Sequence, residues 1–525
     1  MEPLWTLEKT VLRHETFMLA NYIGSKFFST RCNMNKSLSV LLTAAAVSLL
    51  GACASSSSDT PKKNVIFFLG DGMGITVQTA ARIYGYGEDG ELTMDKLPET
   101  AFIKTFSQDY QVTDSAPSMS AYMTGVKMNQ DVISMSSDTV TVSPGKDATT
   151  GVSNSVNNCA ATNGKPVQTL LELAKTKNMG TGVVTTARLT HATPAATFSH
   201  VCNRNAEYEI ARQAVPGGAG YNNALVNGVD VMMGGNSKYF IPFNASGTAL
   251  EKAGRPDGRN LINEMKAQGY AFASDLATLN AVPVTASTKL LALFDQGVAD
   301  ASFSGGHMSY DLDRNPAVEP SLAEMTTKAM DILAAKNNNG YTLVVEGGRI
   351  DHALHATNAK RALQDTIAFD NAIAAAIAKV KLTDPELKNT LIVVTADHDH
   401  TMVMQGYSAL TGKTTATNPG ILGVLKQWLT PTTPAKDADG ATFSVLAFGN
   451  GPNRVTDRAT MTPLTDAIAG ANNYQQEAAI RTGAEGETHG GGDVWLGAIG
   501  MNANLFKGNL ENIAVYPLIV KALGF

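Results

Sequence analysis

The sequence predicts an α/β fold: a mainly parallel central sheet flanked by helices on both faces, with an inserted irregular segment near the C-terminus. Short apolar runs rich in β-branched residues alternate with longer amphipathic stretches, which is typical of buried parallel strands covered by helices. The chain has 525 residues, 44% hydrophobic and 17% charged. Such a chain can bury a large core and is too apolar to be disordered.

Four apolar runs have the composition of buried strands, and three longer stretches repeat apolar residues at helical spacing. The predicted strands are Val65–Leu69, Thr181–Thr185, Leu343–Val345 and Leu391–Val394. The predicted helices occupy residues 167–177, 322–336 and 357–380.

Two segments interrupt this alternation. Residues 136–164, within a predicted loop at 129–164, are polar and lack apolar periodicity, which predicts a long surface loop. Residues from about 401 to 487 are rich in Thr, Gly, Ala and Pro. We expect this insert to cover the functional site or to contact a second copy of the chain.

The N-terminal residues predict export from the cytoplasm. The apolar run Leu38–Leu50 has the length of a signal-peptide core rather than of a bilayer span. It leads into Gly51-Ala52-Cys53, and the junction resembles a lipobox, whose cysteine is acylated; the alternative is an ordinary cleaved signal followed by a free cysteine. We therefore predict that translation starts at Met34 and that residues 1–33 are a non-native or untranslated upstream extension. A lipoprotein-type signal peptide at 34–52, a tether at 53–62 and one folded domain at 63–525 follow. This predicts a periplasmic or cell-envelope protein, held at the outer membrane by a lipid on Cys53.

Of the four cysteines, Cys32 and Cys53 belong to the N-terminal region, which leaves Cys159 and Cys202 in the folded domain. In an oxidising compartment two cysteines predict one disulfide, which stabilises a protein by about 4 kcal/mol on the chain-entropy model. Two free buried thiols remain the alternative, because spacing in the sequence does not show that the sulfur atoms meet.

The charge distribution argues against one class of partner. The formal net charge is −6, and lysine and arginine form no clustered tract. The sequence therefore does not favour binding to a nucleic-acid backbone, and an anionic ligand would have to be attracted by local groups.

Polar residues follow each of the four predicted strands, where an open parallel sheet collects its ligands. They are Asp71, the segment Thr190-His191-Ala192-Thr193, Glu346 and the pair Asp397-His398. One carboxylate at a strand end is explained equally well as a helix cap or a turn residue. Several carboxylates with no lysine or arginine beside them would repel one another, so their coincidence predicts a bound polyvalent cation.

Histidine usage supports a metal site. Six of the nine histidines lie in these segments, in Val345–His355 or beside the glycines at 490–492, while we expect His200 and His307 to be ordinary surface or core residues. The six are His191, His352, His355, His398, His400 and His489. Asp351 and His355 are four residues apart, which places both on one helical face. Mixed nitrogen and carboxylate ligands favour zinc, whereas the all-oxygen set Asp71, Thr193 and Glu346 favours magnesium.

A candidate nucleophile, Ser115, lies in Val112–Ser118. Pro117 two residues later favours a helix start, which offers backbone N–H groups to a phosphate. A metal ion touching the hydroxyl would lower its pKa and make it reactive. The alternative is an ordinary N-cap serine.

These residues lie in six segments that resemble, in composition and in order, the motifs of the alkaline phosphatases. The segments are GDGM at 70–73, VTDSA at 112–116, THATPAA at 190–196, VEGGRIDHALH at 345–355, TADHDH at 395–400 and ETHGG at 487–491. The resemblance spans nearly all of the predicted folded domain. GDGM alone would be weak evidence, whereas six ordered matches are specific.

The resemblance implies a phosphate monoesterase with a phosphoserine intermediate on Ser115, activity that rises toward alkaline pH, and a homodimer. It implies a first zinc held by Asp351, His355 and His489. It implies a second zinc held by Asp397, His398, Asp71 and Ser115, and a magnesium held by Asp71, Thr193 and Glu346. It also implies that Arg204 binds the phosphoryl oxygens and that His400 orients a metal ligand. Three further residues, Asp114, His191 and His352, are expected around the ligands.

The sequence departs from the family's commonest pattern in two places. The small residues that usually follow the serine are replaced by Ala116–Ser120, which affects how the helix start lies under the phosphate. His191 and His352 stand where some family members carry Asp and Lys and others carry His or Trp, so metal occupancy and phosphate release are expected to depend on pH.

Three alternatives remain. A sulfatase of the same superfamily is suggested by Ser115-Ala116-Pro117-Ser118, but its motif continues with arginine where this chain has Met119, and sulfatases hold calcium with oxygen ligands. A phosphodiesterase of the superfamily would more usually have a threonine nucleophile. A surface lipoprotein that binds phosphate or metal without turnover would need neither Ser115 nor Arg204.

Overall fold

The computed structural model describes residues 62–294, 305–336, 338–483 and 486–525, which form an α/β unit around a large central sheet. The upstream extension, the signal peptide, Cys53 and all of the predicted tether except residue 62 lie outside the described residues.

The strands follow in chain order within the described residues. They are β1 (Lys63–Gly70), β2 (Glu99–Lys104), β3 (Gly180–Arg188), β4 (Val231–Gly235), β5 (Tyr270–Ala273), β6 (Lys289–Phe294), β7 (Gly340–Gly347), β8 (Thr390–Ala396), β9 (Asp399–His400), β10 (Met402–Met404), β11 (Leu446–Gly451), β12 (Ala478–Arg481), β13 (His489–Gly490), β14 (Val494–Gly500) and β15 (Gly508–Glu511).

The α-helices of the same residues are mostly short. They are α1 (Ile75–Tyr86), α2 (Ser115–Thr124), α3 (Leu170–Thr176), α4 (Ala192–Ala195), α5 (Glu207–Gln213), α6 (Ala249–Lys252), α7 (Leu261–Ala267), α8 (Leu276–Ala281), α9 (Leu322–Ala334), α10 (Arg349–His355), α11 (Ala359–Lys381), α12 (Asp466–Ala469) and α13 (Val515–Leu523). Among these described helices, none is both long enough and apolar enough to cross a bilayer.

The central sheet contains ten strands of the described chain, in the order β15-β2-β14-β8-β1-β7-β3-β4-β6-β5. Neighbouring strands are parallel except at β14, which runs antiparallel to both β2 and β8. The four predicted strands are confirmed as β1, β3, β7 and β8, and they are neighbours in the middle of the sheet. Their carboxyl ends therefore lie along one edge.

The central strands are continuous apolar runs in the sequence because nearly all of their residues are buried. Every residue of β7 and of β8 is buried, and so is β1 from Val65 to Gly70. Since successive side chains point to opposite faces, both faces of the sheet must be covered. Helices α9 and α11, which also contact each other, and helices α3 and α13 pack against these strands, in agreement with the fold class predicted from the sequence.

The predicted helices correspond to α3, α9 and α11. The largest difference is at α3, which begins at Leu170 rather than near residue 167. Thr169 caps this helix: its side chain accepts a hydrogen bond from the N–H of Glu172, whose carboxylate accepts one from the N–H of Thr169. This reciprocal pair of hydrogen bonds sets the first residue of the helix at Leu170, although the apolar periodicity begins three residues earlier.

The predicted loop at 129–164 contains isolated bridges, such as that between Gly145 and Val156, and no strand or helix of the described set. A disulfide joins Cys159 in this loop to Cys202, with their Cα atoms 5.9 Å apart. The predicted pairing is therefore present, and the link holds the loop beside the segment that leads to Arg204.

The insert at 401–487 has more regular structure than its composition indicates. Strands β10, β11 and β12 form a small separate sheet, and α12 lies between β11 and β12 in the sequence. Several large apolar side chains of the insert are exposed, including Tyr407 (86%), Leu410 (80%), Trp428 (72%) and Leu429 (78%).

Candidate metal centre and nucleophile

The carboxyl edge of the sheet brings the predicted ligands together. Asp71 directly follows β1, Glu346 is near the end of β7, and Asp397 directly follows β8. Thr193 lies in α4, just after β3. All four side chains are fully buried, so the edge is a closed polar centre rather than a solvated surface.

Ser115 is the first residue of α2 and its side chain faces this centre. Its hydroxyl oxygen is 3.3 Å from His398 Nε2 and 3.5 Å from Asp71 Oδ1. Asp114 caps the helix and accepts a hydrogen bond from the N–H of Ala116. The helix is tied to the end of β8, because Ser118 Oγ donates to the carbonyl oxygen of Asp397. The serine is therefore held at a fixed position beside the carboxylates.

A first group of ligand atoms surrounds Asp351 Oδ1. His355 Nε2 is 3.3 Å from this oxygen, His489 Nε2 is 3.5 Å from it, and the two nitrogens are 3.1 Å apart. A tetrahedral zinc ion with bonds of about 2.0–2.1 Å would hold its ligand atoms about 3.3 Å apart. The spacing of the three atoms thus fits one zinc ion.

A second group surrounds His398 Nε2. Asp71 Oδ1 is 3.3 Å from this nitrogen, Asp397 Oδ2 is 3.5 Å from it and Ser115 Oγ is 3.3 Å from it. These distances are also those expected between ligands of one tetrahedral ion.

The histidine tautomers fit metal binding. His355 Nδ1 contacts the carbonyl oxygen of Glu487, His489 Nδ1 that of Thr113, and His398 Nδ1 that of Asp399. A carbonyl oxygen only accepts hydrogen bonds, so each Nδ1 carries a proton, and Nε2 is the nitrogen of each ring that a metal ion would bind. Three such nitrogens facing carboxylates are arranged to bind cations.

A third group contains only oxygen atoms of Asp71, Thr193 and Glu346. Thr193 Oγ1 is 3.5 Å from Asp71 Oδ2, while Asp71 Oδ1 faces the second group. Glu346 Oε2 accepts a hydrogen bond from Thr185, but Glu346 Oε1 has no hydrogen-bond partner among the described residues. Asp397 Oδ2 is equally unpartnered there. Buried carboxylate oxygens that lack donors are suited to coordinate cations.

The crowded carboxylates are strained electrostatically when no cation is present. Burial and the charge of Asp351 raise the pKa of Asp71 to about 7, and burial and Asp71 raise the pKa of Asp397 to about 7. Burial and Asp71 raise the pKa of Glu346 well above its usual range. Several buried negative charges within one site require compensation, which divalent cations supply.

Arg204 lies beside the nucleophile. One end of its guanidinium donates to Asp114 Oδ1, and Nη2 donates to His191 Nε2 at 3.0 Å. Burial opposes its charge, but Asp114 and Asp131 raise the pKa of Arg204 above its usual value. The structure therefore places a permanent positive charge next to the helix that begins with Ser115.

His400 contacts a metal-ligand candidate through Nε2, which is 2.7 Å from Asp351 Oδ1, and it contacts Glu487 through Nδ1. Glu487 was not among the predicted site residues. Its carboxylate also accepts from the N–H of Thr401, so it fixes His400 against the insert. The sequence feature that could have indicated Glu487 is its position two residues before His489, in the ETHGG segment at 487–491.

His191 and His352 lie together, with ring centroids 5.3 Å apart. His307, expected to be an ordinary surface or core residue, is buried, with its ring centroid 4.0 Å from that of His352. Burial lowers the pKa of all three histidines well below the usual range, reinforced by Arg204 at His191, by the neighbouring His352 at His307 and by Arg349 at His352, so they are neutral. No sequence signal indicated His307, because it lies far along the chain from every motif.

Fold and site together define a class of protein. It is an α/β enzyme in which carboxylates and imidazoles can hold several divalent cations beside a serine at a helix start. The described residues contain four groups able to hold an ion: Asp351 with His398, His400 and His489; His355 with His400 and Glu487; Asp71 with Asp397 and His398; and Asp71 with His191 and Glu346.

Comparison with known proteins identifies the family. The family model described as alkaline phosphatase matches residues 62–525. The tissue-nonspecific alkaline phosphatase isozyme of Homo sapiens is 35% identical over 465 residues, covering 85% of this chain and 80% of that protein. The alkaline phosphatase of Gadus morhua is 34% identical over 474 residues, covering 85% and 88%. The chain belongs to the alkaline phosphatase family, a family of metal-dependent enzymes, and is a phosphoric monoester hydrolase.

Solved structures show the same fold. Alkaline phosphatase from the Antarctic bacterium TAB5 aligns with a TM-score of 0.57 at 21% identity, covering 88% of this chain and 99% of that one. The Thermus thermophilus enzyme aligns with a TM-score of 0.60 at 23% identity, covering 88% and 92%.

Proposed function

We propose that this enzyme hydrolyses phosphate monoesters through a phosphoserine on Ser115, with two zinc ions and one magnesium ion bound at the carboxyl edge of the sheet. One observation carries the proposal. Ser115 Oγ lies within 3.5 Å of both His398 Nε2 and Asp71 Oδ1, in a buried centre where Asp397 Oδ2 and Glu346 Oε1 lack donors.

The proposed ligand sets follow the three groups of atoms. Asp351, His355 and His489 would hold one zinc. Asp397, His398, Asp71 and Ser115 would hold the other, and Asp71, Thr193 and Glu346 would hold magnesium. When bound, these cations would neutralise the phosphoryl oxygens, lower the pKa of the serine hydroxyl and stabilise the leaving alcohol.

The protein's own groups position the reactants. The start of α2 directs backbone N–H groups toward the phosphate, and Arg204 pairs its planar guanidinium with the phosphoryl oxygens. Ser115 Oγ loses its proton and forms a bond to phosphorus while the bond from phosphorus to the leaving oxygen breaks, and that oxygen takes up a proton to leave as the alcohol. Water then attacks the phosphoserine, which releases inorganic phosphate and restores the serine. Turnover of an aryl phosphate monoester, measured beside the matching diester and sulfate ester, tests this proposal; faster turnover of either of the latter would contradict it.

In metal-free protein, Asp397→Asn should become more stable than the parent as the pH rises. The pKa of Asp397 is raised from 3.8 to about 7. A carboxyl of this kind contributes stability that is fully present below 3.8 and is lost as the pH rises through about 7, a change of about 4 kcal/mol. Asparagine has no such dependence. Melting temperatures in chelator at about pH 5 and about pH 8 measure the difference.

Added zinc and magnesium should reverse the order of the two melting temperatures, because the variant has lost a ligand and binds metal less well. If the difference between parent and variant were the same at both pH values, the raised pKa of Asp397 would be wrong. If metal left the order unchanged, the proposed ligand role of Asp397 would be wrong.

We also propose that the enzyme is exported and carries a lipid on Cys53, which would anchor it at the outer membrane. The support is the apolar run at Leu38–Leu50 followed by Gly51-Ala52-Cys53. Mass spectrometry of the N-terminal peptide of the mature protein should find Cys53 as its first residue with an acyl modification. An N-terminus elsewhere, or an unmodified thiol, would contradict the anchor.

We further infer that two copies associate through the insert. Large exposed apolar side chains on one segment are typical of a protein contact, and the insert exposes Tyr407, Leu410, Trp428 and Leu429. Native mass spectrometry should give twice the chain mass, and Trp428→Glu should shift the protein to single chains. Single chains in the parent protein would disprove the association.

A further inference from the structure

Asp131 lies beside Arg204 in a backbone conformation that few side chains adopt. Its φ angle is +66°, in the left-handed region. Its N–H donates to Asp114 Oδ2 at 2.8 Å, and its carbonyl oxygen accepts from the N–H of Arg204 at 2.7 Å. The backbone of Asp131 thus connects the cap of the nucleophile helix to the arginine.

The side chain of Asp131 adds a second carboxylate to this corner. The Asp114 carboxylate that accepts from the N–H of Asp131 through Oδ2 also accepts from the Arg204 guanidinium through Oδ1, so Asp131 lies close enough for its charge to act on Arg204. Burial and the charge of Asp114 raise the pKa of Asp131 to about 6. Glycine would adopt the same φ more easily, so the turn itself does not require an acidic side chain.

A second carboxylate near the Arg204 guanidinium reduces the electrostatic attraction of the arginine for an anionic ligand. A single carboxylate would orient Arg204 and balance its charge. A second makes the local charge net negative, so a phosphate dianion that approaches Arg204 is repelled by Asp131 as well as attracted by the guanidinium. Asp131 is only half-buried and is not among the proposed metal ligands, so no cation bound at the proposed sites would be coordinated by it and cancel its charge beside Arg204.

We propose that Asp131 is a positioning residue that acts through Arg204 to lower the affinity of the site for phosphate, and with it inhibition by the product. The inference rests on the proposed function, in which Arg204 binds the phosphoryl oxygens. It concerns the strength of that binding and not the identity of the nucleophile or the metals.

The test is the inhibition constant of inorganic phosphate, measured on the metal-loaded enzyme. Asp131→Asn keeps the shape of the side chain, tolerates the left-handed backbone and removes the charge. Its inhibition constant should fall about fivefold. Asp109→Asn is the matched control, because Asp109 is an exposed carboxylate nearby that accepts from the N–H of Gln130. It should change the constant by less than about twofold.

The direction of the change in the inhibition constant distinguishes an electrostatic effect of Asp131 from a purely structural one. If Asp131 only held Arg204 in place, Asp131→Asn would weaken phosphate binding and the inhibition constant would rise. A rise, or no change relative to Asp109→Asn, overturns the inference.

Arg204→Lys separates this inference from the proposed function. Lysine cannot pair with two oxygens at once, so the inhibition constant should rise about tenfold or more. If Arg204→Lys leaves it unchanged, the proposed role of Arg204 is wrong. If Arg204→Lys raises it while Asp131→Asn does not lower it, only the inference about Asp131 fails.

Discussion

Ser115→Ala should reduce kcat for an aryl phosphate by at least about 1000-fold, since the variant has no hydroxyl to form the covalent intermediate. The methyl side chain should leave the fold and the remaining ligands in place, so zinc and magnesium content should stay close to that of the parent. Rapid acid quenching of the parent enzyme during turnover should trap one phosphate on the peptide that contains Ser115. The variant should trap none.

Ser120→Ala is the matched control for this result. Ser120 lies in the same helix, is fully buried and accepts a hydrogen bond from the N–H of Ser134 at 2.9 Å. Its loss should cost about 1 kcal/mol of stability and leave kcat within about threefold of the parent. Trapped phosphate on a different residue, or near-normal turnover by Ser115→Ala, would show that another group is the nucleophile.

Asp351→Asn should have the second largest effect. Asp351 Oδ1 is the atom around which His355, His489 and His400 converge. Burial opposes its ionisation, yet His355 and His400 hold the pKa of Asp351 well below its usual range, so it is a carboxylate at any pH of interest. An asparagine lacks that charge. We expect the loss of about one zinc ion per chain and a decrease in kcat of more than about 100-fold at limiting zinc.

Asp370→Asn provides the control, because Asp370 is also buried but accepts hydrogen bonds from the backbone and is not a proposed metal ligand. Its carboxylate accepts from the N–H groups of Thr93 and Met94 at 2.8 and 2.9 Å. The variant should melt at a lower temperature and keep its full zinc content. Equal zinc content in Asp351→Asn and in the parent, measured by elemental analysis, would remove Asp351 from the proposed ligands.

Much of the fold could be read from the sequence because the central strands are buried on both faces. Val65–Leu69 and Leu391–Val394 are uninterrupted apolar runs, and their pattern is independent of distant contacts. The edge strands are different. Strand β2 alternates between buried and exposed residues and lies between β14 and β15, which are far along the chain, so its place depended on tertiary pairing.

The candidate site was predictable for a similar reason. Parallel neighbours end at the same edge, so polar residues at the carboxyl ends of β1, β7 and β8 had to converge. What the sequence could not supply was the environment of each group. The contact of Glu487 with His400 and the packing of His307 on His352 arise from chain segments that only the folded structure brings together.

The left-handed backbone of Asp131 is a further example of what the sequence does not show. Aspartate tolerates this conformation but does not require it, so no local signal marks the turn. Arg204, whose N–H donates to the carbonyl oxygen of Asp131, lies two residues after Cys202. The disulfide from Cys202 to Cys159 ties this segment to a loop whose sequence shows no apolar periodicity. The local sequence pattern therefore predicts the strands and the polar residues at their ends better than it predicts the tertiary contacts around the site residues.

The most direct test of the central claim is a titration of the chelated enzyme with zinc and magnesium while the release of phosphate from an aryl phosphate is followed. The proposed ligand sets predict no release from the metal-free protein and recovery that saturates at two zinc ions and one magnesium ion per chain. Full turnover by metal-free protein, or full metal loading with no phosphate released, would contradict a metal-assisted Ser115.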